Sequence, residues 1–316
     1  MPVLWLKMDF GNMRFRRLGK TNLKLSEIGL GTWAFGGTSD WGPINFEDAQ
    51  TTVETALEVG INWIDSAPIY GQSEERLGRI LKGKRNRVLL STKCGLVKNG
   101  SWTDHDLRAQ TICTQLETSL RLLQTDYIDI YWIHYLDPKI PWQAVGEVLS
   151  QLKQQGKIRV IGVCNVSADI VREMARANFI DCVQNEFSVL HPQSRPVLEV
   201  CQQNGLGFVA YGGLCGGILT GKYKKEPNFR RADARNYFYK CYRGDSFIKA
   251  QETVGTVREM AATQGVSAAE IALGWVLAHA PVTSVLSGAR NASQIKQNVH
   301  ATTLKLNAEE LCQLAK

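Results

Sequence analysis

Four ionisable side chains lie at or just beyond the ends of successive short apolar runs. Asp65 and Tyr70 follow Ile61–Ile64, Lys93 follows Val88–Leu90, and His134 follows Tyr127–Ile133. Tyrosine, with its usual pKa near ~10, is a poor acid at neutral pH. A lysine cation beside the phenol favours phenolate, lowers that pKa and eases proton donation. A carboxylate paired with the lysine would hold it in place, and a neutral histidine could orient a substrate oxygen by hydrogen bonding. Together the four could protonate an oxygen as negative charge develops on it, which is what reducing a carbonyl requires. Taken singly, each has a plainer explanation: a helix-capping aspartate, a solvated lysine, a packed histidine. Their coincidence at neighbouring strand ends makes them the candidate site.

Strand ends converge only if the strands lie side by side. Ser26–Leu30, Ile61–Ile64, Val88–Leu90, Tyr127–Ile133, Ile158–Val163, Asp181–Val183, Gly207–Ala210 and Thr283–Leu286 make eight strand candidates. Between them run segments with apolar residues at helical spacing, such as Ile112-Leu116-Leu120-Leu123. Asn45 and Ser167 stand where helix caps are needed. Eight alternating units at this length predict an α/β fold, a closed (β/α)8 TIM barrel in one domain over residues 1–316. An open doubly wound sheet is the rival. An N-terminal β-hairpin over Arg14–Leu25 precedes the barrel, turning at Lys20-Thr21-Asn22. Thr220–Ser246, after strand seven, lacks periodicity and predicts a long functional loop. Gly29-Leu-Gly31-Thr-Trp-Ala34 imitates a dinucleotide fingerprint, but the residues after it cannot start the helix that a pyrophosphate needs.

The 316 residues are 44% hydrophobic and 21% charged, a globular balance that excludes a disordered chain. No window approaches ~20 uninterrupted apolar residues, and Val3–Leu6 before Lys7 is too short for a signal peptide. Eight cysteines without a C-x-x-C pair predict free thiols in a reducing cytoplasm and no metal site. The net charge of +7 is concentrated: residues 1–20 carry +4 and residues 220–246 carry +5, the latter with six Tyr or Phe. Such a loop could hold nucleic acid, but phosphates of a small cofactor are the expected partner.

Met13-Arg-Phe-Arg-Arg-Leu-Gly-Lys-Thr, Gly29-Leu-Gly-Thr-Trp33 and Asp65-Ser-Ala-Pro-Ile-Tyr-Gly-Gln-Ser-Glu-Glu-Arg-Leu-Gly78 stand in order. With them the chain resembles the aldo-keto reductase family, in the bacterial branch that includes inositol-catabolism-type reductases and resembles potassium-channel β subunits. The resemblance implies Tyr70 as general acid/base, with Asp65, Lys93 and His134 completing a tetrad. It implies a nicotinamide cofactor extended across the barrel mouth, NADP(H) preferred and NAD(H) possible. Asn165 and Gln184 match the positions that hold the carboxamide, beside Cys164, and Tyr211 the ring that stacks on the nicotinamide. Gly31, Thr32, Trp33 and Asp65 also belong to this cofactor surface. Gly212, Gly213, Leu214, Gly217 and Lys222 match the pyrophosphate segment, and Arg235 the loop arginine. Gly288, Arg290, Gln294 and Asn298 match the adenosine end. Trp33, Phe35, Trp102 and His134 could line the substrate pocket.

Three departures stand out: Cys164 where the family usually has Ser, Gly212-Gly213 for Ser-Pro, and Ser287 for a common proline. The implied activity is reversible NADPH-dependent reduction of aldehydes or ketones, sugar-derived ones included. The alternative is a slow-turnover NADPH-binding sensor subunit. The expected partner is a small-molecule carbonyl, with neither nucleic acid nor membrane, and oligomeric state is left open.

Overall fold

Hairpin strands β1 (Phe15–Arg17) and β2 (Lys24–Ser26) come first in the computed structural model, which describes residues 13–38, 40–100 and 102–314. The apolar Val3–Leu6 run and Lys7 lie outside the described residues. Leu18, Leu23 and Leu25 of this hairpin are buried with the barrel's inner side chains, so the hairpin plugs its lower end. The basic N-terminus also finds partners. Arg14 Nε and Arg16 Nε donate to opposite oxygens of buried Glu27 at 2.9 and 2.7 Å. The Arg16 fork also reaches the carbonyls of Val282 and Leu277 at 2.7 and 2.9 Å.

Eight parallel strands then close the barrel. They are β3 (Ile28–Gly31), β4 (Trp63–Asp65), β5 (Leu89–Cys94), β8 (Ile128–Ile133), β9 (Ile158–Cys164), β10 (Cys182–Glu186), β11 (Gly207–Tyr211) and β12 (Val282–Gly288). Pairing of Val285 with Ile28 joins the last strand to the first. Between β5 and β8 lies a second hairpin, β6 (Leu96–Asn99) and β7 (Trp102–His105). All eight predicted barrel strands are present. Inside, Trp63 and Trp132 fill space that Gly29 and Gly162 leave free, since a Cβ on either glycine would come within 2.2 Å of the facing indole.

The crossovers are α1 (Phe46–Glu58), α2 (Ser73–Ile80), α3 (Ala109–Leu123), α4 (Trp142–Gln154), α5 (Ala168–Arg176), α6 (Arg195–Asn204), α7 (Gly244–Gln264) and α8 (Ala268–Leu277). The chain closes with α9 (Ala292–His300) and α10 (Ala308–Gln313). Asn45 and Ser167 cap α1 and α5 by accepting from Asp48 N–H and Ile170 N–H, as their residue types predict. The long segment after β11 runs over 212–243, starting before the expected Thr220 and ending before Ser246 because α7 already begins at Gly244. Among the described residues, no helix is long and apolar enough to cross a membrane.

Candidate active site

The C-terminal ends of β4, β5 and β8 bring the four predicted residues together. Asp65 ends β4 and Lys93 lies in β5, each almost wholly buried. Lys93 Nζ donates to Asp65 Oδ2 and, at 2.9 Å, to the Ser66 carbonyl. Ser91 Oγ donates to the other carboxylate oxygen at 2.6 Å, and Gln184 Nε2 approaches it at 3.4 Å. Tyr70 sits on a tight turn, its N–H bonded to the Ala67 carbonyl, with Lys93 Nζ 4.9 Å from its ring centre. His134 follows β8, and its ring meets that of Tyr70 edge-on at 6.0 Å.

Burial pushes the Tyr70 phenol up to about 12; Lys93 pulls it down and Asp65 pushes it further up. The sequence expectation of a lowered pKa is therefore corrected: desolvation outweighs the cation, and the phenol is held protonated. Burial alone would lower the Lys93 pKa, but the Asp65 carboxylate keeps it above the usual lysine value. Burial, with the charges of Lys93 and His105, holds His134 well below the ordinary range, so its imidazole is neutral. Burial likewise keeps the Cys164 thiol protonated. The site thus holds a proton on phenol, a cation pinned beneath it and an uncharged imidazole at its edge.

Beyond the tetrad, Asn165 adopts a left-handed backbone with φ of 59°. Its amide donates to the His134 carbonyl at 2.9 Å and accepts from the Tyr211 hydroxyl at 2.7 Å, leaving one N–H and one lone pair. Gly212, Gly216 and Gly217 have φ of 71, 63 and 99°, a path open to glycine and strained for other residues. Leu214 lies within this turn, its carbonyl accepting from Gly217 N–H at 2.8 Å. Lys222 is exposed, its ammonium 5.0 Å from the Tyr223 ring centre. A Cβ on Gly31 or Gly288 would meet nothing nearer than 3.8 Å, so the backbone there is uncovered.

Other predicted residues are already engaged. Arg235 is gripped by Asp233 at 2.6–2.7 Å and by the Tyr223 hydroxyl, which offsets its charge. Arg290 donates to the Trp41 and Pro43 carbonyls, and its N–H to Gln294 Oε1 at 2.9 Å. Asn298 donates to Ser287 Oγ at 2.8 Å. Thr32 is buried, its hydroxyl donating to the Asp65 carbonyl and accepting from Ser73 Oγ, which itself accepts from Ser66 Oγ. This hydroxyl chain braces the Lys93 acceptor strand from behind, a positioning role that residue types alone did not reveal.

The wall over Tyr70 is aromatic. Trp33 stacks on it at 5.7 Å and meets Trp41 and Phe238 edge-on, each at 5.4 Å. Phe35 does not join this wall: it is fully buried in the main core, with no surface left for a ligand. Trp102 is 77% exposed on β7. Sequence reasoning missed Asp40, whose carboxylate accepts from Trp33 Nε1 and the Tyr237 hydroxyl, both at 3.1 Å. Its carbonyl accepts from Ala234 N–H at 2.8 Å, so it ties the loop after β3 to the long segment after β11. Tyr223, Phe229, Phe238, Tyr239 and Tyr242 of that segment pack on one another as a continuous set of edge-to-face rings.

Comparison with known proteins agrees with this geometry. The model of the aldo/keto reductase family matches residues 27–316. The aldo-keto reductase YhdN of Bacillus subtilis (strain 168) is 38% identical, over 94% of this chain and 91% of its own. The NADH-specific methylglyoxal reductase of Escherichia coli (strain K12) is 34% identical, over 92% and 94%. The solved structure of the glycerol dehydrogenase AKR11B4 from Gluconobacter oxydans superposes with a TM-score of 0.85 at 31% identity, covering 95% of this chain and 93% of that one. A (β/α)8 barrel with an acid, a lysine, a tyrosine and a histidine at its mouth thus comes with relatives along almost its whole length, and the chain belongs to the aldo/keto reductase family of NAD(P)-dependent oxidoreductases acting on carbonyl substrates.

Proposed function

We propose that this chain reduces small aldehydes and ketones, sugar-derived ones among them, with NADPH, Tyr70 giving the proton to the carbonyl oxygen. The observation that carries the reading is the buried Asp65–Lys93 pair beneath a protonated Tyr70, with neutral His134 at its edge. Bound at this mouth, a nicotinamide cofactor supplies the hydride to the substrate carbon. The residues present suit such a group. The spare N–H and lone pair of Asn165, with Gln184, match the donor and acceptor of a carboxamide. Tyr211, fixed by its hydrogen bond to Asn165, offers a flat face, and the Gly212–Gly217 backbone lies open to a pyrophosphate.

His134 donates a hydrogen bond to the substrate oxygen and fixes its direction. Tyr70 passes its proton to that oxygen as charge develops there, and Lys93 stabilises the phenolate that remains. Asp65 keeps Lys93 charged and in place. The aromatic rings of Trp33, Trp41 and Phe238 exclude water from this transfer. The same groups run alcohol oxidation in reverse, with Tyr70 as the base. Arg290 has donors beyond the two given to Trp41 and Pro43, and it stands before α9 where a 2′-phosphate is favoured. The eight thiols are all free, which suits a reducing cytoplasm.

The test pairs Tyr70→Phe with the wild type on methylglyoxal, the substrate for which one relative is named. Turnover should fall by roughly 10²–10⁴-fold, while NADPH affinity, followed by nicotinamide fluorescence, stays within about twofold. Undiminished turnover would sink the mechanism, and tighter binding of NADH than of NADPH would sink the cofactor preference.

A further inference from the structure

Glu186, His191 and Cys215 bring a carboxylate oxygen, an imidazole nitrogen and a sulfur within 4.8 Å of one another, the one such group among the described residues. Glu186 ends β10, His191 closes the turn after it, and Cys215 opens the 3-10 segment beyond β11. Glu186 Oε1 and His191 Nε2 face each other at 3.9 Å, and both atoms are buried without a hydrogen-bond partner. Buried polar atoms are seldom left so, and two of them beside a thiol point to a missing positive centre that all three could share.

Each ligand is held by its own backbone. Ser194 Oγ donates to the Glu186 carbonyl at 2.8 Å. His191 N–H donates to the Ser188 carbonyl and side chain, both at 3.1 Å. The Tyr242 hydroxyl donates to the Cys215 carbonyl at 3.0 Å. Ser188 Oγ lies 3.0 Å from Cys215 Sγ, placed to donate to a thiolate.

We propose that Glu186, His191 and Cys215 bind a divalent cation of borderline softness, Zn²⁺ above all, with the fourth position open. One sulfur, one nitrogen and one oxygen ligand select that class over Mg²⁺ or Ca²⁺. A tetrahedral zinc holds its ligand atoms roughly 3.3–3.5 Å apart, so the group contracts by little more than an ångström. The Glu186 and His191 side chains, 27% and 28% exposed, have room for that movement and leave a way in. Binding releases the Cys215 thiol proton to solvent. The ligands come from the end of β10, the turn after it and the segment beyond β11, so their spacing matches no zinc motif, and this is why the sequence predicted no metal. Asp65, Tyr70 and Lys93 take no part in it, whereas Cys215 lies within the Gly212–Gly217 stretch proposed for the pyrophosphate, so the test is made without cofactor.

The experiment is a Zn²⁺ titration against a chromophoric chelator, on the full chain without cofactor, in a Cys312→Ser background that removes the exposed thiol. Roughly one equivalent should bind, and His191→Ala and Cys215→Ala should each weaken it by about tenfold or more. Co²⁺ should give a thiolate charge-transfer band that Cys215→Ala abolishes. If Cys215→Ala fails to fold by circular dichroism, His191→Ala carries the test. Binding unchanged in His191→Ala, or no stoichiometric binding, overturns the proposal.

Discussion

Tyr70 keeps its proton because burial beats the lysine beside it, and this sets how rate depends on pH. In the proposed role of acid in reduction, the group keeps its active form until pH rises towards the raised value of about 12. Reductive kcat should therefore stay flat between about pH 6 and 9, whereas alcohol oxidation, which needs phenolate, should climb through that window. A steady-state profile in both directions checks this, and a reductive rate that fell above neutrality would contradict it. Lys93→Met removes the downward pull on Tyr70 and leaves the Asp65 carboxylate buried without its cation. Chemical denaturation should show a loss of about 3–5 kcal/mol. Reductive kcat should drop by roughly 10²-fold or more in any variant that folds.

Elements explain which parts of the protein could be read from residues. The eight barrel strands are buried almost throughout and most carry a short apolar run, because a parallel sheet covered on both faces demands it. The tetrad was legible for the same reason: polar residues at the ends of such runs stand out. Helix α8 escaped because all ten of its residues are buried, which erases the one-sided periodicity that marks a surface helix. Its Ser267–Glu270 capping box was the available signal. Hairpin β6–β7 is half-buried then exposed along β6 and exposed throughout β7, so alternation is absent, although Asn99-Gly100 marks its turn. Asp40 could not be found at all, since its role depends on two loops meeting that are far apart in the chain. Packing inside the barrel is equally silent in the sequence. Gly162→Ala would drive a methyl into the Trp132 ring, and unfolding should show a loss of about 1–3 kcal/mol or more with the denaturant slope unchanged.

At the scale of the whole molecule, part of the N-terminal charge is a fastening. Arg14 and Arg16 share Glu27, and Arg16 also holds carbonyls at the end of α8 and the start of β12. Arg16→Ala strips two carbonyls of their donor and halves the compensation of a buried carboxylate. A loss of roughly 2–4 kcal/mol is expected in thermal or chemical unfolding, with little change in KM because the mouth lies at the other end. The join that Arg16 secures, β12 against β3, unites residues near 28 and 285. During synthesis β3 must therefore wait, one edge unpaired, until the chain through β12 has left the ribosome. A nascent strand with an open edge is a template for pairing with other chains. Folding of this barrel is accordingly gated by its last strand, and the interval before that strand emerges is when the protein is most exposed to aggregation.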